Sequence, residues 1–200
     1  MTTRQVILVR HGPTLEPERC HGQRSDPSLS DVGHTAVAAL ATRLPTFGTL
    51  ITSPAARARQ TADHLSSDCR AVDARWAERK FGEWEGRKWS ELWSEVGEDV
   101  TATTQNYLAF EPPGAESAAE VMDRITTAVA DLSPPAPVMA DSAAATAPVG
   151  VVTHGGPIQL ALSVCLGLPL DAALAFRPAR ATSVWLTETN GSWVLERLGW

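Results

Sequence analysis

The chain has 200 residues, enough for one domain with a single core, and its 44% apolar and 20% charged composition is close to the globular average. The net charge of −6 argues against a general nucleic-acid-binding protein, and no apolar run approaches the roughly 20 residues that span a bilayer. Three widely spaced cysteines argue against a disulfide framework or a zinc knuckle. Because the N-terminus lacks the apolar stretch and cleavage site of a signal peptide, we expect a cytoplasmic protein.

The first predicted strand and helix frame a long loop. Residues 5–9 form a short apolar, β-branched run, which predicts a strand buried on both faces, as in a parallel sheet. Glycine, proline and charged residues predict a loop over residues 12–27. A helix over residues 31–44 follows, with Ser30 as its predicted N-cap.

A second strand and helix follow in the same order. Residues 49–52 predict a short strand, and Ser53 and Pro54 after it are typical of the N-cap and first residue of a helix. We expect this helix to end near residue 65. Residues 72–89 are irregular and unusually rich in tryptophan and charge.

The second half of the chain continues this alternation. A short helix is predicted over 90–96, and a second helix runs from the capping box Ser117-x-x-Glu120 to about 132. A flexible surface loop over 133–148 leads to a strand over 149–153 and a helix over 157–166. The last predicted element is a hairpin of strands 182–187 and 193–198 around Asn190-Gly191. Alternating strands and helices predict an α/β fold, a three-layer α/β/α sandwich with a mostly parallel central sheet. We expect a single domain over residues 1–200, with its ligand at the carboxyl ends of the strands.

Two strand ends are similar in sequence. His11-Gly12 follows the first predicted strand and His154-Gly155 follows the third, so neighbouring parallel strands would bring both histidines to one edge of the sheet. Arg10 precedes the first histidine, and Arg57 lies one turn into the helix after the second strand. Each of these residues alone has a structural explanation, as a hydrogen-bonded histidine or a surface charge. Their coincidence at one edge favours a functional site.

This set of residues is suited to phosphoryl transfer. Guanidinium groups match phosphate oxygens, and a histidine can attack phosphorus to form a covalent intermediate. A second histidine, if protonated, can stabilise charge on the oxygens, and the helix N-terminus after Gly155-Gly156 adds N–H groups that favour anions. These groups can supply the electrostatic stabilisation by themselves, so we expect no metal and no other cofactor.

The reaction also requires a general acid for the leaving alkoxide. A carboxyl group in a crowded, partly apolar place has a pKa that suits this role. Glu78 lies among large apolar residues, and Glu83 and Glu85 are competing candidates. The residue pattern leaves the choice among the three open.

The motifs together resemble the histidine phosphatase superfamily, also called phosphoglycerate-mutase-like. The blocks that carry the resemblance are Arg10-His11-Gly12-Pro13-Thr14, Gly22, residues 26–33 (DPSLSDVG), 52–62 (TSPAARARQTA), 78–86 (ERKFGEWEG) and 113–117 (PGAES), and Thr153-His154-Gly155-Gly156. They cover almost the whole chain in the family's order, which makes the resemblance specific. The later blocks are most similar to the small phosphatase branch, which includes α-ribazole, glucosyl-phosphoglycerate and broad-specificity phosphatases.

The resemblance implies a role for each matching residue. His11 would be the phosphorylated nucleophile, and Glu78 the proton donor that later deprotonates the attacking water. His154 would be catalytic through its contact with the phosphoryl group, which Arg10 and Arg57 would also bind. Further phosphate contacts would come from Thr14, Gly22, Gln23 and Gly155.

Position 17 departs from the family pattern. The family often has an asparagine six residues after the nucleophile, where this chain has Pro17. One phosphate contact is therefore lost or is supplied by the backbone around Gly22-Gln23. Ala36 stands where a glutamine is common, and Pro13 where a glutamate is usual. None of these departures removes a catalytic group.

Substrate choice is expected to lie in residues 76–116. Trp84, Trp89 and Trp93 either line the pocket, which would suit a sugar or aromatic leaving group, or cover the core. Four basic residues in this region either bind a second anionic group or form a solvated face. They are Arg79, Lys80, Arg87 and Lys88.

The expected function is metal-independent hydrolysis of a small phosphate monoester through a phosphohistidine. Three alternatives stay open: a phosphoglycerate-type mutase, a non-catalytic phosphate-binding module, and a metal hydrolase with His11 and His154 as ligands. We expect a small-molecule phosphate ester as the partner, with no nucleic acid and no membrane, and the sequence leaves a homodimer open.

Overall fold

The central sheet has six strands in the residues that the computed structural model describes, which are 3–96, 111–132 and 147–199. The strands are β1 (Thr3–Arg10), β2 (Phe47–Thr52), β3 (Ser67–Val72), β4 (Val149–Thr153), β5 (Ser183–Thr189) and β6 (Ser192–Leu198). Their order across the sheet is β3-β2-β4-β1-β5-β6. Strands β1 to β4 run parallel, and the antiparallel hairpin β5–β6 extends the sheet beyond β1.

Helices cover both faces of this sheet. In the described residues they are α1 (Asp31–Ala41), α2 (Ala56–Ala62), α3 (Trp89–Val96), α4 (Ala118–Ala130), α5 (Gly155–Leu166) and α6 (Leu170–Leu174). Because successive strand residues point to opposite faces, Val6 and Leu8 of β1 pack in one core with α4 and α5. Ile7 and Val9 pack in a second core with α1 and α2. The predicted three-layer α/β/α sandwich with a mostly parallel sheet is confirmed.

The central position of β4 decides where the site lies. Strand β4 pairs with β1 on one side, where Thr153 is opposite Arg10, and with β2 on the other, where Val152 is opposite Thr52. The carboxyl ends of three parallel strands therefore meet at one edge of the sheet. The residues that follow these strands are placed side by side there, as expected for a ligand site in an α/β fold.

Local sequence signals predict two boundaries correctly. Ser117 and Glu120 form the reciprocal capping box of α4, with Glu120 N–H 3.2 Å from Ser117 Oγ and Ser117 N–H 2.7 Å from Glu120 Oε2. Asn190 and Gly191 have φ angles of +51° and +84°, which are the left-handed conformations of a tight hairpin turn between β5 and β6.

Several elements differ from the sequence prediction. The sequence does not predict β3, an edge strand with mostly exposed side chains and no apolar alternation, or the five-residue α6. Helices α1 and α2 end at Ala41 and Ala62, before the predicted residues 44 and 65, and α5 begins at Gly155, before residue 157. The predicted loop over 133–148 lies outside the described residues except for its last two.

The predicted N-cap of α2 is wrong. The N-cap is Ala55, and the Ser53 hydroxyl is not used for this purpose. The carboxylate of Asp26, from the loop after β1, instead accepts the Ala56 N–H at 2.8 Å. A group distant in sequence therefore caps this helix, and Ser53 is available for the site described below.

None of the helices in the described ranges has the length and apolarity needed to cross a membrane.

Gly33 of α1 packs directly on the loop after β1. A Cβ at this position would lie 2.0 Å from the carbonyl oxygen of Pro13, which is backbone and cannot rotate away. We expect Gly33→Ala to lower the free energy of unfolding by about 1–3 kcal/mol, because the loop or the helix must move. Urea denaturation measures this change. The control is Val32→Ala at a neighbouring position that is 71% exposed, and equal stability of parent and Gly33→Ala would contradict the close packing.

Candidate active site

His11 lies at the carboxyl end of β1, in the middle of the sheet. Its backbone N–H donates to the Thr153 carbonyl at 3.0 Å, and the residue is only 7% exposed. Its ring Nδ1–H donates to the Gly12 carbonyl at 2.8 Å, so the lone pair is on Nε2. Burial, and then the charge of Arg57, lowers the pKa of His11 well below 6.5. The ring is therefore neutral at physiological pH and can act as a nucleophile through Nε2.

Arg57 is the most buried cation beside this histidine. It lies in the first turn of α2 and is 1% exposed. Its Nη1 pairs with the Asp26 carboxylate at 3.1 Å, and its Nη2 donates to the Gly22 carbonyl at 3.0 Å. Its Nε is buried and has no partner among the described residues. The guanidinium is thus held firmly, with a donor left to bind an oxyanion.

Arg10 is held at the same edge from the other side. Its Nη1 donates to the Pro178 carbonyl at 2.7 Å, in the loop before β5. Its guanidinium also lies against the start of α5, since a Cβ on Gly155 would be 3.2 Å from Arg10 Cζ. The glycine therefore allows the cation to lie next to the first-turn N–H groups of α5, and both features attract an anion.

His154 faces His11 across the strand ends. It is fully buried, and the centroids of the two rings are 5.1 Å apart. Its Nε2 lies 2.8 Å from Ser53 Oγ, which itself accepts the Ala55 N–H at 3.3 Å. We assign the Ser53 hydroxyl as the donor to Nε2 of His154, which places the ring's own proton on Nδ1. This Nδ1 is buried and without a partner in the described part of the chain.

The electrostatics of His154 decide how it can contact a phosphoryl group. Burial, and then the charge of Arg57, lowers the pKa of His154 well below 6.5. The ring is therefore neutral in the free protein. It is suited to donate from Nδ1–H as a neutral group, and it does not contribute the positive charge that a protonated ring would.

Ser53 is expected to affect catalysis by fixing the tautomer of His154. In Ser53→Ala the ring can hold its proton on either nitrogen, so Nδ1–H is no longer guaranteed. We expect kcat to fall about tenfold, which corresponds to about 1.4 kcal/mol in the barrier. Steady-state hydrolysis of an aryl phosphate measures the change. Ser163→Ala removes another buried hydroxyl, bonded to the Leu168 carbonyl at 2.8 Å, and should leave kcat unchanged; equal losses in both variants would contradict the role.

Glu78 lies in the irregular segment that follows β3. Its Oε1 accepts the Arg79 N–H at 2.9 Å. Burial raises the pKa of Glu78 above its ordinary value, although that hydrogen bond and the charge of Arg57 act in the opposite direction. The side chain borders a small apolar cleft, whose lining includes Ala118, Val121, Leu160 and Leu174. These surroundings favour a protonated carboxyl group, as a general acid requires.

The other two candidate acids have different surroundings. Glu83 is exposed, and Glu85 is buried with its carboxylate accepting backbone N–H groups. The donors, with their distances to the carboxylate oxygens, are Gln23 (3.3 Å), Arg24 (2.6 Å), Ser25 (2.8 Å) and Phe81 (3.1 Å). Glu85 therefore anchors the loop after β1, and the geometry favours Glu78 as the acid.

Arg124 of α4 holds the segment that carries Glu78. Its Nη1 donates to the Ala77 carbonyl at 2.8 Å, and its Nη2 to the Glu78 carbonyl at 3.2 Å. Its Nε pairs with Glu116 Oε1 at 2.6 Å. A segment without regular secondary structure is thereby fixed at the edge of the pocket, with few degrees of freedom left to the Glu78 backbone.

Three of the predicted phosphate contacts lie in the loop after β1. The hydroxyl of Thr14 is buried with no partner in the described residues, which suits a contact with an oxyanion. The carbonyl of Gly22 accepts from Arg57, and the N–H of Gln23 donates to Glu85 at 3.3 Å. The Gln23 N–H is thus used within the protein, and the Gln23 side-chain amide donates to the Glu78 carbonyl at 2.9 Å.

The tryptophans of the charged segment pack on one another. The rings of Trp89 and Trp93 stack with centroids 5.2 Å apart, and the ring of Trp84 meets both edge-on. They form a small separate core with Phe81 and Cys20, which favours core packing over a pocket wall.

The basic residues of that segment are divided between the protein and its surface. Arg79 is buried, with its Nε 2.7 Å from the Glu116 carbonyl, and Arg87 pairs with Glu95. Lys80 and Lys88 are exposed. The two arginines are therefore engaged within the chain, and the two lysines lie on a solvated face.

Sequence reasoning either missed the following residues around the site or, for Ser53 and Glu85, expected a different role. They are Ser53, Asp26, Glu85, Arg124 and Arg180. The first three lie inside the motif blocks, so their proximity in sequence to the assigned site residues could have indicated a role in the site. No motif contains the last two, because their role depends on how α4 and the loop before β5 fold back on the sheet.

The structure thus brings five predicted residues to one edge: His11, His154, Arg10, Arg57 and Glu78. In the ranges that the structure describes, no group of three or more His, Cys, Asp or Glu side chains is arranged to hold a metal ion. The cations beside the two histidines are arginines, whose charge would oppose a metal. A buried neutral histidine with anion-binding groups around it has the geometry that phosphoryl transfer requires.

Comparisons with known proteins show which family the chain belongs to. A sequence model of the histidine phosphatase superfamily (branch 1) matches residues 6–200, and the chain belongs to that superfamily. The glucosyl-3-phosphoglycerate phosphatase of Mycolicibacterium vanbaalenii is 33% identical over 182 residues, 86% of this chain and 78% of that protein. A protein of Erwinia tasmaniensis named "Probable phosphoglycerate mutase GpmB" is 30% identical over 98% of this chain and 92% of its own.

A solved structure shows the same fold. The α-ribazole phosphatase from Shigella flexneri superimposes with a TM-score of 0.81 at 22% identity, covering 98% of this chain and 96% of that one. With the superfamily membership and its phosphatase relatives, the chain is an enzyme of the phosphatase class.

Proposed function

We propose that the protein is a metal-independent phosphomonoesterase that acts on a small phosphorylated metabolite through a phosphohistidine at His11. The observation that carries this proposal is the hydrogen bond from His11 Nδ1–H to the Gly12 carbonyl, 2.8 Å long. It directs the lone pair of a neutral ring from Nε2 toward the groups that suit a phosphate. It would also stabilise the positive charge that the ring acquires when Nε2 is phosphorylated.

In the first step, the Nε2 lone pair attacks phosphorus, the N–P bond forms and the bond to the ester oxygen breaks. Glu78 gives its proton to that oxygen, so the product leaves as an alcohol. The other phosphoryl oxygens carry the negative charge of the transition state. They are bound by Arg10, Arg57 and the Nδ1–H of His154.

In the second step, a water molecule replaces the alcohol. The Glu78 carboxylate takes a proton from the water, the new oxygen–phosphorus bond forms, and the N–P bond breaks. His11 returns to its neutral state and inorganic phosphate is released. Both steps use groups of this chain alone.

The covalent intermediate provides the direct test. Parent protein is mixed briefly with radiolabelled phosphate ester in EDTA, quenched, and examined for labelled protein. We expect a phosphoramidate, labile in acid and stable in base, and hydrolysis that EDTA does not reduce. Label that survives acid, or activity that EDTA removes, would rule out the proposed mechanism.

The names of the relatives suggest the first substrates. Glucosyl-3-phosphoglycerate and other phosphorylated glycerates or sugars are the compounds to screen, because a curated relative that is 33% identical is a glucosyl-3-phosphoglycerate phosphatase. Release of inorganic phosphate at micromolar enzyme and millimolar substrate identifies the preferred class.

A mutase is the second candidate, supported by the relative that is 30% identical and is named as a phosphoglycerate mutase. A mutase returns the phosphoryl group to another hydroxyl of the same molecule. Incubation with 3-phosphoglycerate distinguishes the two: a phosphatase releases inorganic phosphate, whereas a mutase produces 2-phosphoglycerate.

A further inference from the structure

Arg180 is a half-buried arginine that forms no ion pair in the described residues. Its side chain makes one hydrogen bond there, from Nη2 to the Pro17 carbonyl at 3.3 Å, and its Nε is buried without a partner. Removing a guanidinium from water without a counter-charge is unfavourable. The arrangement therefore suggests that an anion from outside the chain completes it.

The loop that carries Arg180 is attached directly to the active site. The Ala181 N–H donates to the His11 carbonyl at 3.1 Å, and the Arg10 N–H donates to the Thr182 carbonyl at 3.0 Å. Ala181 has φ +55°, a left-handed conformation that is uncommon for alanine and that surrounding contacts must maintain. Arg180 lies close enough to His11 for its charge to contribute to the lowered pKa of that ring.

The Arg180 guanidinium also contacts Pro17, the position that departs from the family pattern. Pro17 has neither a side-chain donor nor a backbone N–H, so it can offer a phosphate no hydrogen bond. The sequence left two outcomes open, loss of this contact or its replacement by the backbone around Gly22-Gln23. The Gln23 N–H, one of the backbone donors in question, is already used within the protein. Arg180 Nη2 is bonded to the Pro17 carbonyl itself.

We infer that Arg180 is a third phosphate-binding arginine, which supplies from the loop before β5 the donor that position 17 lacks. The inference rests on the proposed function, because it places Arg180 beside the phosphoryl group held at His11. A guanidinium offers a charged fork of donors where an amide would offer a neutral one. Phosphate binding should therefore depend on Arg180 more strongly than on an uncharged donor.

The test compares the parent with Arg180→Met, which keeps the length of the side chain and removes its charge. We expect the inhibition constant of inorganic phosphate to rise about tenfold or more, and kcat/KM for 4-nitrophenyl phosphate to fall by a similar factor. The control is Arg59→Met at an exposed arginine of α2, which should change neither. Adding Pro17→Asn to Arg180→Met should recover part of the loss, and no recovery would overturn the link to position 17.

A purely structural role predicts a different result. Loss of the bond to Pro17 alone would lower the Tm without moving the pH profile. Loss of a positive charge beside His11 raises the pKa of that ring, so the acidic limb of kcat/KM should move to higher pH in Arg180→Met. Arg180→Gln, which keeps a donor for the Pro17 carbonyl, serves the same comparison if Arg180→Met does not fold. An unchanged phosphate inhibition constant in a folded variant would overturn the inference.

The failure of the proposed function can be distinguished from the failure of this inference. If the parent hydrolyses no ester, calorimetric titration with inorganic phosphate replaces the kinetic measurement. Weaker phosphate binding by Arg180→Met would then support the inference without the activity, and equal binding would overturn it. If the parent is active and Arg180→Met binds phosphate as well as the parent does, the inference about Arg180 is wrong and the proposed function is unaffected.

Discussion

Replacing His11 with alanine is expected to abolish activity, lowering kcat/KM for 4-nitrophenyl phosphate by about 10⁴-fold or more. No other group in the described pocket can replace the nucleophile, because Nε2 of His154 is bonded to Ser53 at 2.8 Å and its Nδ1 is assigned the proton. The variant should still bind inorganic phosphate, since Arg10 and Arg57 are intact. Steady-state kinetics in EDTA and calorimetric titration with phosphate measure the two properties.

His34→Ala is the matched control for this experiment. His34 lies on α1, and its Nδ1 is 3.0 Å from Nε2 of His64 rather than near the strand ends. Its loss should leave kcat/KM close to that of the parent. Full activity in His11→Ala would remove His11 from the mechanism, and equal losses in both variants would indicate a general effect of removing a histidine.

Replacing Glu78 with glutamine is expected to have an effect that depends on the leaving group. For an alkyl phosphate, whose alkoxide must be protonated as it leaves, kcat should fall about 10²–10⁴-fold. For 4-nitrophenyl phosphate, which leaves without protonation, the first step should be nearly normal. Hydrolysis of the phosphohistidine should then be slow, because glutamine cannot accept a proton from water. A burst of nitrophenol followed by a slow steady state, recorded by stopped-flow absorbance, is the expected result.

The pH profile provides a second measurement on the same variant. Burial raises the pKa of Glu78, and the first step requires its protonated form, so this group should set the basic limb for alkyl phosphates. The pKa of His11 is lowered, and the reaction requires its neutral form, so His11 should set the acidic limb. In Glu78→Gln the basic limb should disappear while the acidic limb remains.

Glu83→Gln is the control for Glu78, because it changes an exposed carboxylate in the same segment. It should leave both the burst and the pH profile unchanged. Normal hydrolysis of alkyl phosphates by Glu78→Gln would exclude this residue as the acid. Glu85 is unsuitable as a control, because its carboxylate anchors the loop after β1 and its loss would leave four N–H groups without their acceptor.

The sequence alone was sufficient for the class of fold and for the placement of His11 and His154 at one edge of the sheet. Apolar runs such as residues 149–153 predict buried strands because both of their faces must be covered in a parallel sheet. His11 and His154 could be placed together from topology, since residues after parallel strands share one edge. The motif blocks then implied Glu78, which residue pattern alone had left open with Glu83 and Glu85.

Only the tertiary structure decided the roles that depend on contacts between distant segments. Ser53 has the pattern of an N-cap, yet its hydroxyl is bonded to His154 while Asp26 caps α2. The carboxylate of Glu85 accepts four N–H groups that fold onto it, which favours an anchoring role, and Arg180 reaches Pro17 across 163 positions of the chain. Local patterns report local conformation, whereas the protonation state and the partner of a buried side chain depend on which distant groups surround it. That is why the sequence could predict which residues meet at the strand ends, whereas the hydrogen-bond partners of Ser53, Glu85 and Arg180 had to be read from the tertiary structure.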